Sequence, residues 1–316
     1  MSLDTLSSVT YREIIPYVVD QVLLSNPTLA LMFQNTVFLD GGTHISQPIM
    51  INKNSTPASY SGADPLNMAV DDELTSFEFN WAQYYATIMY TGLDDLRNGG
   101  ENAVANLLRI RSQIAEKSLR ETMGSDLQGD GTGNNNKAMV GLAAAIDDAT
   151  NVVTYGNVSR NTVTAVRSQY SANGGVARAL TIPLLITNYQ NCSKDNDRPT
   201  HHITTPGMFG KYVQLLTPTI RTGDDATANM GHPNVLFMMR PVIADDQVTT
   251  TPRHKWWMIN MRHFTFYVHR ARNFMFVPFA RVPGQDVALS HILFAGQPIN
   301  DQPRLSGQIV DLSPTA

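Results

Sequence analysis

Hydrophobic and polar positions alternate with more than one period along this chain, and the changes of period mark its elements. Ile14, Ile15, Val18, Val19, Val22 and Leu23 recur at helical spacing, with Pro27 closing the segment. A short segment with one apolar side predicts an N-terminal arm over 1–38 that lies on another surface. After Gly41 and Gly42, residues 44–51 read as a strand. In the return strand Phe77, Phe79 and Trp81 face one way, while Glu78, Asn80 and Ala82 face the other. Between them, 52–73 is rich in Ser, Pro, Asn, Asp and Gly. Loops in compact domains usually have about 4–6 residues, so this one is long. Residues 39–92 therefore read as an extended two-stranded hairpin that projects from the body. Two strands alone are marginal in water, so the hairpin needs something to lean on.

The clearest helix is predicted over 101–124. Val104, Leu107, Leu108, Ile114, Ala115, Leu119 and Met123 form one stripe. Asn106, Arg109, Gln113, Glu116, Lys117 and Arg120 form the opposite face, with Glu116 and Arg120 spaced i,i+4. A Gly/Asn loop follows. Residues 137–240 mix short elements: helices over 161–170 and 177–188, the latter kinked or ended by Pro183, a strand over 200–205 and a helix over 208–216. From 235 to 312 strands dominate. Phe264, Phe266 and Val268 alternate with Thr265, Tyr267 and His269, and strands over 274–279, 287–294 and 308–312 follow. The fold class is α+β, with one long helix and a mostly antiparallel sheet.

Charge adds a second pattern. Charged residues make up only 16% of the 316-residue chain, against 42% hydrophobic. Soluble domains usually carry about 25% charge, and depletion of charge is a mark of interface cores. The net charge of -4 is unevenly placed. Residues 1–100 hold eleven acidic and three basic groups, a balance of -8 that leaves +4 for the rest. Between Gln247 and Gln285 there is no Asp or Glu, yet Arg253, Lys255, Arg262, Arg270, Arg272 and Arg281 fall there. An acidic front and a basic back suit head-to-tail contact between identical copies, and two separate solvated faces would read the same way.

The candidate catalytic and ligand-binding signatures each lack a required group. The loop from Gly129 to Gly133 lacks the Gly-Lys-Ser/Thr ending of a phosphate loop and follows a helix instead of opening one. Asp126, Gln128, Asp130, Gly131 and Asn134 mimic a calcium loop, but Lys137 stands where a bidentate Glu is needed. His201 and His202 are adjacent and would point to opposite faces of a strand. No three or four ligands converge for zinc. Cys192 is the only cysteine, which excludes an intramolecular disulfide, and it reads as an inert small residue. The pairs Asp147–Asp148, Asp224–Asp225 and Asp245–Asp246 read as solvated turns. Arginines interleaved with Trp256, Trp257, Phe264, Phe266 and Tyr267 could mark a single-strand binder, yet the alternation and a pI near 6.0 favour a buried sheet. No catalytic, cofactor or metal set emerges, so no enzyme activity is expected. No run of about 18 apolar residues offers a membrane span. The first residues lack a signal peptide's basic start and apolar core, so synthesis in the cytoplasm is expected.

Several features in order resemble the major capsid proteins of tailed bacteriophages with the Hong Kong 97-like fold. They are the long hairpin 39–92, the amphipathic helix 101–124 and the loop Gly129 to Asn134. The run from Val140 to Ile146, which contains GLAAAI, and Tyr155 to Arg160 (YGNVSR) come next. Met239 to Asp245 and Trp257 to Asn260 complete the order. No single motif is specific, and the order spans about 85% of the chain.

The resemblance implies an N-terminal arm (1–38) and an extended loop (39–92). It implies a peripheral domain (93–140 and 261–302, with spine helix 101–124 and long strands) and an axial domain (141–260 and 303–316). It also implies self-assembly as pentamers and hexamers into an icosahedral head around double-stranded DNA contacted non-specifically. The protein would then be a virion component, with a portal and separate scaffolding or decoration proteins as further partners and no membrane. Lys53, Asp71, Asp72, Glu73, Arg253, Lys255, Arg262, Arg270, Arg272 and Arg281 are the expected inter-subunit contacts. Some relatives cross-link a lysine to an asparagine; Lys53 is the only lysine in the hairpin, and no partner for it can be identified. Two alternatives stay open: an encapsulin-like compartment, and a soluble enzyme or ligand-binding protein.

Overall fold

The computed structural model describes residues 26–69, 72–93, 101–216, 235–250 and 253–315, and of 101–107 the backbone only. The apolar repeat at 14–23, Asp71 and the Asp224–Asp225 pair lie outside these residues. Helix α1 (Pro27–Phe33) is set by local chemistry. Asn26 caps it by accepting from the Leu29 N–H at 3.0 Å, and Pro27 occupies its first turn. Leu29 and Met32 are buried, and the Phe33 ring stacks on Phe266 at 4.6 Å. Strand β1 (Thr36–Leu39) then pairs in parallel with a strand far along the chain, over 266–269. The expected arm therefore does not run to 38. Residues 26–39 belong to the body, because Leu29, Leu31 and Met32 supply an apolar side that the core takes up.

Two main sheets form instead of the single sheet expected. The hairpin strands β2 (Ile45–Met50) and β3 (Leu74–Phe79) pair with each other, from Ile45 opposite Phe79 to Met50 opposite Leu74. Strand β4 (Ala82–Thr91) leaves the hairpin, so the excursion ends near 80 and not at 92. Its alternation explains why. Ala82, Tyr84, Ala86, Ile88 and Tyr90 are all buried, and a free hairpin arm has nowhere to bury five side chains in a row.

In the second half of the chain, β5 (Thr154–Tyr155) and β6 (Val158–Ser159) form a small turn. Strands β7 (Gln169–Ser171), β8 (His201–Thr204), β9 (Leu236–Phe237), β10 (Arg240–Ala244) and β11 (His254–Ile259) follow. The last four are β12 (Phe264–His269), β13 (Met275–Arg281), β14 (Val287–Asn300) and β15 (Gly307–Leu312). The five-stranded sheet has the order β1-β12-β14-β13, with β4 also on β14. The 14-residue β14 is its spine, pairing with β4 over 287–296, β13 over 288–293 and β12 over 296–300.

The six-stranded sheet has the order β7-β15-β11-β8-β10-β9, with parallel pairs at β7–β15 and β8–β10. Strand β11 is central and buried on both faces. Trp256 and Met258 join one core with Leu185, Tyr189, Met208 and Tyr212, while Trp257 and Ile259 join the other. Period 2 with two buried faces accounts for its unbroken apolar run. Helices α3 (Ile182–Cys192) and α4 (Pro206–Leu215) pack on the first of these cores. Pro183 starts α3 instead of kinking it, since a first-turn proline loses no helical hydrogen bond. The helix expected at 161–170 is only a short turn over Thr164–Val166 followed by β7.

The long helix, α2 (Glu101–Gln128), passes the expected stop at Gly124. Leu108, Ser112, Ala115, Leu119, Met123 and Leu127 face inward, whereas Ile114 is exposed. Glu116, expected on the solvent face, is buried, and its carboxylate has no hydrogen-bond partner. Burial raises its pKa to about 7, against the pull of Arg120. A folded-state pKa above the unfolded one favours folding at low pH and loses that advantage as pH rises from about 4.5 to about 7. Glu116→Gln is therefore expected to raise the melting temperature at pH 8 and to change it little at pH 5. Parallel melts at the two pH values check this.

Candidate assembly surface

The unusual surface among the described residues is the hairpin. Beyond Met50 its extension carries Tyr60, Leu66, Met68 and Leu74 outward, with Met68 90% exposed. Short-range bonds hold its turns: Thr56 N–H to Asn54, Ser61 N–H to Asp64 and Ala69 N–H to Asn67. Ile51 N–H closes on the Glu73 carbonyl at 2.9 Å. Exposed apolar side chains on a thin projection mark a surface meant for contact.

The root of the hairpin is firm. The Phe77 and Phe79 rings meet the Tyr155 ring edge-on at 5.1 and 5.0 Å. Gly156, at φ +55, passes so close that a Cβ there would lie 2.7 Å from the Cβ of Phe77. Its carbonyl accepts from Glu78 N–H at 3.0 Å. Behind Tyr155 lies Arg160, fully buried, with its guanidinium 5.1 Å from the Tyr155 ring centroid. It donates to the carbonyls of Val152, Ala144 and Ala145 at 2.8, 2.6 and 3.2 Å, and to Val166 at 3.4 Å.

A second apolar feature is a groove of about 440 Å³ between β4 and α2. Exposed Tyr85 and Met89 line one side and Ile114 the other. Arg111 bridges it by donating to the Met89 carbonyl at 2.6 Å.

The predicted contact residues are spread over several elements. Lys53 and Asp72 are exposed on the hairpin, and Glu73 is half-buried. Arg262, Arg272 and Arg281 are exposed. Arg270 is already paired within the chain, with Asp40 at 3.2 Å, so part of the front–back complementarity is met inside one copy. Lys255 points inward as one of a lining set with Arg253, Asp130 and Asp311, and sits 5.6 Å from the Trp257 ring centroid. Desolvation lowers its pKa, with Asp130 and Asp147 opposing. Lys255 is half-buried in this setting.

The other candidates resolve into structure. Asp147 and Asp245 are buried, not solvated. Asp147 accepts from the N–H groups of Ala149, Asn151 and Val152, and Asp245 from the hydroxyl of Thr28. Asp126 takes the Tyr84 hydroxyl at 2.8 Å, and Asp130 takes Thr132. Both carboxylates are thus engaged within the loop that mimicked a calcium site. His202 is buried and His201 half-buried on β8, and burial lowers their pKa values to about 3 and about 4. Burial pushes the Cys192 thiol up to about 12. Among the described residues no three His, Cys, Asp or Glu side chains gather as metal ligands. No helix of the described residues is long and apolar enough to cross a membrane. Trp256, Trp257, Phe264 and Phe266 are fully buried, so they offer no stacking platform for bases.

No protein-family model and no curated protein sequence matches the chain. Solved structures do. The capsid asymmetric unit of cyanophage A-1(L) is 16% identical and superposes with a TM-score of 0.66 over 92% of this chain and 93% of that one. The capsid of a native GTA particle is 12% identical, with a TM-score of 0.57 over 90% of each chain. The SrpI encapsulin of Synechococcus elongatus is 9% identical, with a TM-score of 0.54 over 89% of this chain and 86% of that one. The fold is thus one shared with these capsid and encapsulin chains. It is α+β and of the Hong Kong 97-like capsid type.

Proposed function

We propose that this chain is the major capsid protein of a tailed bacteriophage, a subunit whose activity is to assemble. The observation that carries this reading is the cyanophage capsid likeness over nearly the full length of both chains. The physical features agree with it: a projecting hairpin with exposed Met68 and Leu66, an apolar groove beside α2, and a charge-poor composition. On this reading the hairpin is the extended loop, preceded by an N-terminal arm. The five-stranded sheet with α2 is the peripheral domain, and the six-stranded sheet with α3 and α4 is the axial domain. Copies meet head to tail in pentamers and hexamers that close into an icosahedral head around double-stranded DNA. A portal, and separate scaffolding or decoration proteins, complete the virion after assembly in the host cytoplasm. The contacts assigned to this role are Lys53, Asp71, Asp72, Glu73, Arg253, Lys255, Arg262, Arg272 and Arg281, with Arg270 shared between Asp40 and a neighbour. The role needs no catalysis and no cofactor.

The encapsulin likeness supports a second reading, a protein compartment without packed DNA. Electron microscopy of the purified full chain, alone and with the products of its neighbouring genes, tests both. Closed shells with fivefold vertices support assembly, and DNA filling with a portal at one vertex selects the first reading. A monodisperse species of about 35 kDa under all conditions would overturn both. Asp72→Lys with Glu73→Lys is expected to cut shell yield at least tenfold while leaving the subunit's melting temperature unchanged. Light scattering beside thermal melts reads the two effects separately.

A further inference from the structure

The chain passes between its two sheets twice in quick succession near one histidine. Residues 260–263 lead from β11 of the six-stranded sheet to β12 of the five-stranded one. Residues 301–306 lead back from β14 to β15. His263 lies on the first crossover and Asp301 on the second. Asp197, on the loop before β8, reaches in from the six-stranded side. His263 Nδ1 is 2.8 Å from Asp301 Oδ1, and Nε2 is 2.6 Å from Asp197 Oδ2. An ionised carboxylate only accepts hydrogen bonds, so each ring nitrogen must carry a proton. The geometry thus calls for an imidazolium held between two carboxylates. Backbone and neutral groups lock the same place. Asp301 N–H donates to the His263 carbonyl at 3.0 Å, Asn260 Nδ2 to Asp197 Oδ1 at 2.6 Å, and Met261 N–H to Thr200 Oγ1 at 2.9 Å.

We propose that His263 is a proton-operated clasp that ties the two crossovers to each other and to the loop before β8. The charged groups around it balance when the ring is protonated. Arg262 stands 3.9 Å from Asp197, so two cations face Asp197 and Asp301. The Tyr155 and Tyr267 hydroxyls are the further titratable groups within the field of Asp301. Loss of the ring proton removes one donor and leaves a carboxylate facing a lone pair. The hydrogen bond to Asp301 raises the His263 pKa, partial burial opposes it, and the hydrogen bond to Asp197 adds to the rise. The Asp197 carboxyl lies below its ordinary value; desolvation opposes this, and its bonds to His263 and Asn260 outweigh it. For the histidine, the stabilisation is complete below the unfolded value of about 6.5 and is lost as pH rises through the higher folded value. For Asp197 it is present above the ordinary carboxylate range and lost at low pH. The clasp is closed between those limits and opens on the alkaline side.

This inference does not depend on shell formation, and it is tested on the full chain. Hydrogen exchange of 194–200 and 301–306, corrected for intrinsic rates, is followed from pH 6 to pH 9, beside the ring titration of ¹³C-labelled histidine. Protection is expected to fall roughly tenfold to a hundredfold as His263 titrates, the factor one charge-assisted hydrogen bond carries. His263→Gln is expected to abolish that step while residues of β13 remain unchanged. Should His263→Gln fail to fold, Asp301→Asn serves as the second variant, with the step moved to lower pH. A ring that titrates at or below the ordinary histidine value would overturn the proposal, as would an unchanged step in the variants.

Discussion

Arg160→Met will lower the melting temperature of this protein by on the order of 10 °C, or prevent its folding. The side chain is wholly buried, and four backbone carbonyls accept from it. Burial lowers its pKa, while Tyr155, Asp147 and Asp148 act to raise it. Methionine fills much of the volume and supplies no donor. Carbonyls of Ala144, Val152 and Val166 would then lose their Arg160 donor, while Ala145 keeps the Ser168 hydroxyl at 3.2 Å. Stranding such groups costs about 1–3 kcal/mol each at most, and breaking a buried charged network costs about 3–5 kcal/mol in all. Arg160→Lys should recover little, because one ammonium cannot span carbonyls that a planar guanidinium reaches from three nitrogens. Differential scanning calorimetry of the soluble chain reads the change. A shift within about 2 °C would show that the carbonyls of Ala144, Val152 and Val166 find other partners.

The second large effect is expected at Gly141. Its φ is unremarkable, so the demand is purely one of space. A Cβ there would lie 2.3 Å from the Leu127 carbonyl oxygen, 2.6 Å from that of Asp126 and 2.7 Å from that of Gly129. All three are backbone atoms at the end of α2, and none can swing aside as a side chain would. The same junction is tied by Ala143 N–H donating to the Gly129 carbonyl at 3.1 Å. Gly141→Ala must push 141–146 away from the helix end, and overpacking of this kind costs about 1–3 kcal/mol or more. Gly210 is the contrast. It lies within α4 with nothing within 4 Å of a built Cβ, so Gly210→Ala should be neutral or stabilising by up to about 1 kcal/mol. Chemical denaturation of the two variants side by side separates steric demand from the general effect of adding a methyl group. Equal losses would refute the steric account.

Two segments that looked familiar in the sequence prove to be one physical unit. Arg160, the last residue of YGNVSR, bonds the carbonyls of Ala144 and Ala145 in GLAAAI. Tyr155 and Gly156 of the same stretch seat Phe77 and Phe79 at the hairpin root. The hairpin is therefore anchored on the same hub that joins the end of α2 to the six-stranded sheet.

Periodicity alone was enough for the hairpin strands, the long helix, the alternation of Phe264, Phe266 and Val268, and the α+β class. Those signals are local: each depends on which side of one element is apolar, and that is written in consecutive residues. The departure of the calcium-like loop from its pattern, with Lys137 where a Glu is needed, was legible in the same way. Partnership over long sequence distances was not legible. No local pattern says that β1 pairs with β12, that β4 leaves the hairpin for β14, or that Asp245 is buried against Thr28. Nor does any spacing place Asp197, His263 and Asp301 together, because they stand 66 and 38 residues apart and meet only where two crossovers touch. Glu116 shows the same limit from the other side, a charged residue on a helix that the packing of other elements covers. The sequence by itself determined the hairpin strands, the long helix and the alternating apolar face of 264–268. The tertiary structure decided which faces meet, because burial and charge pairing are properties of neighbours in space and not of neighbours in the chain.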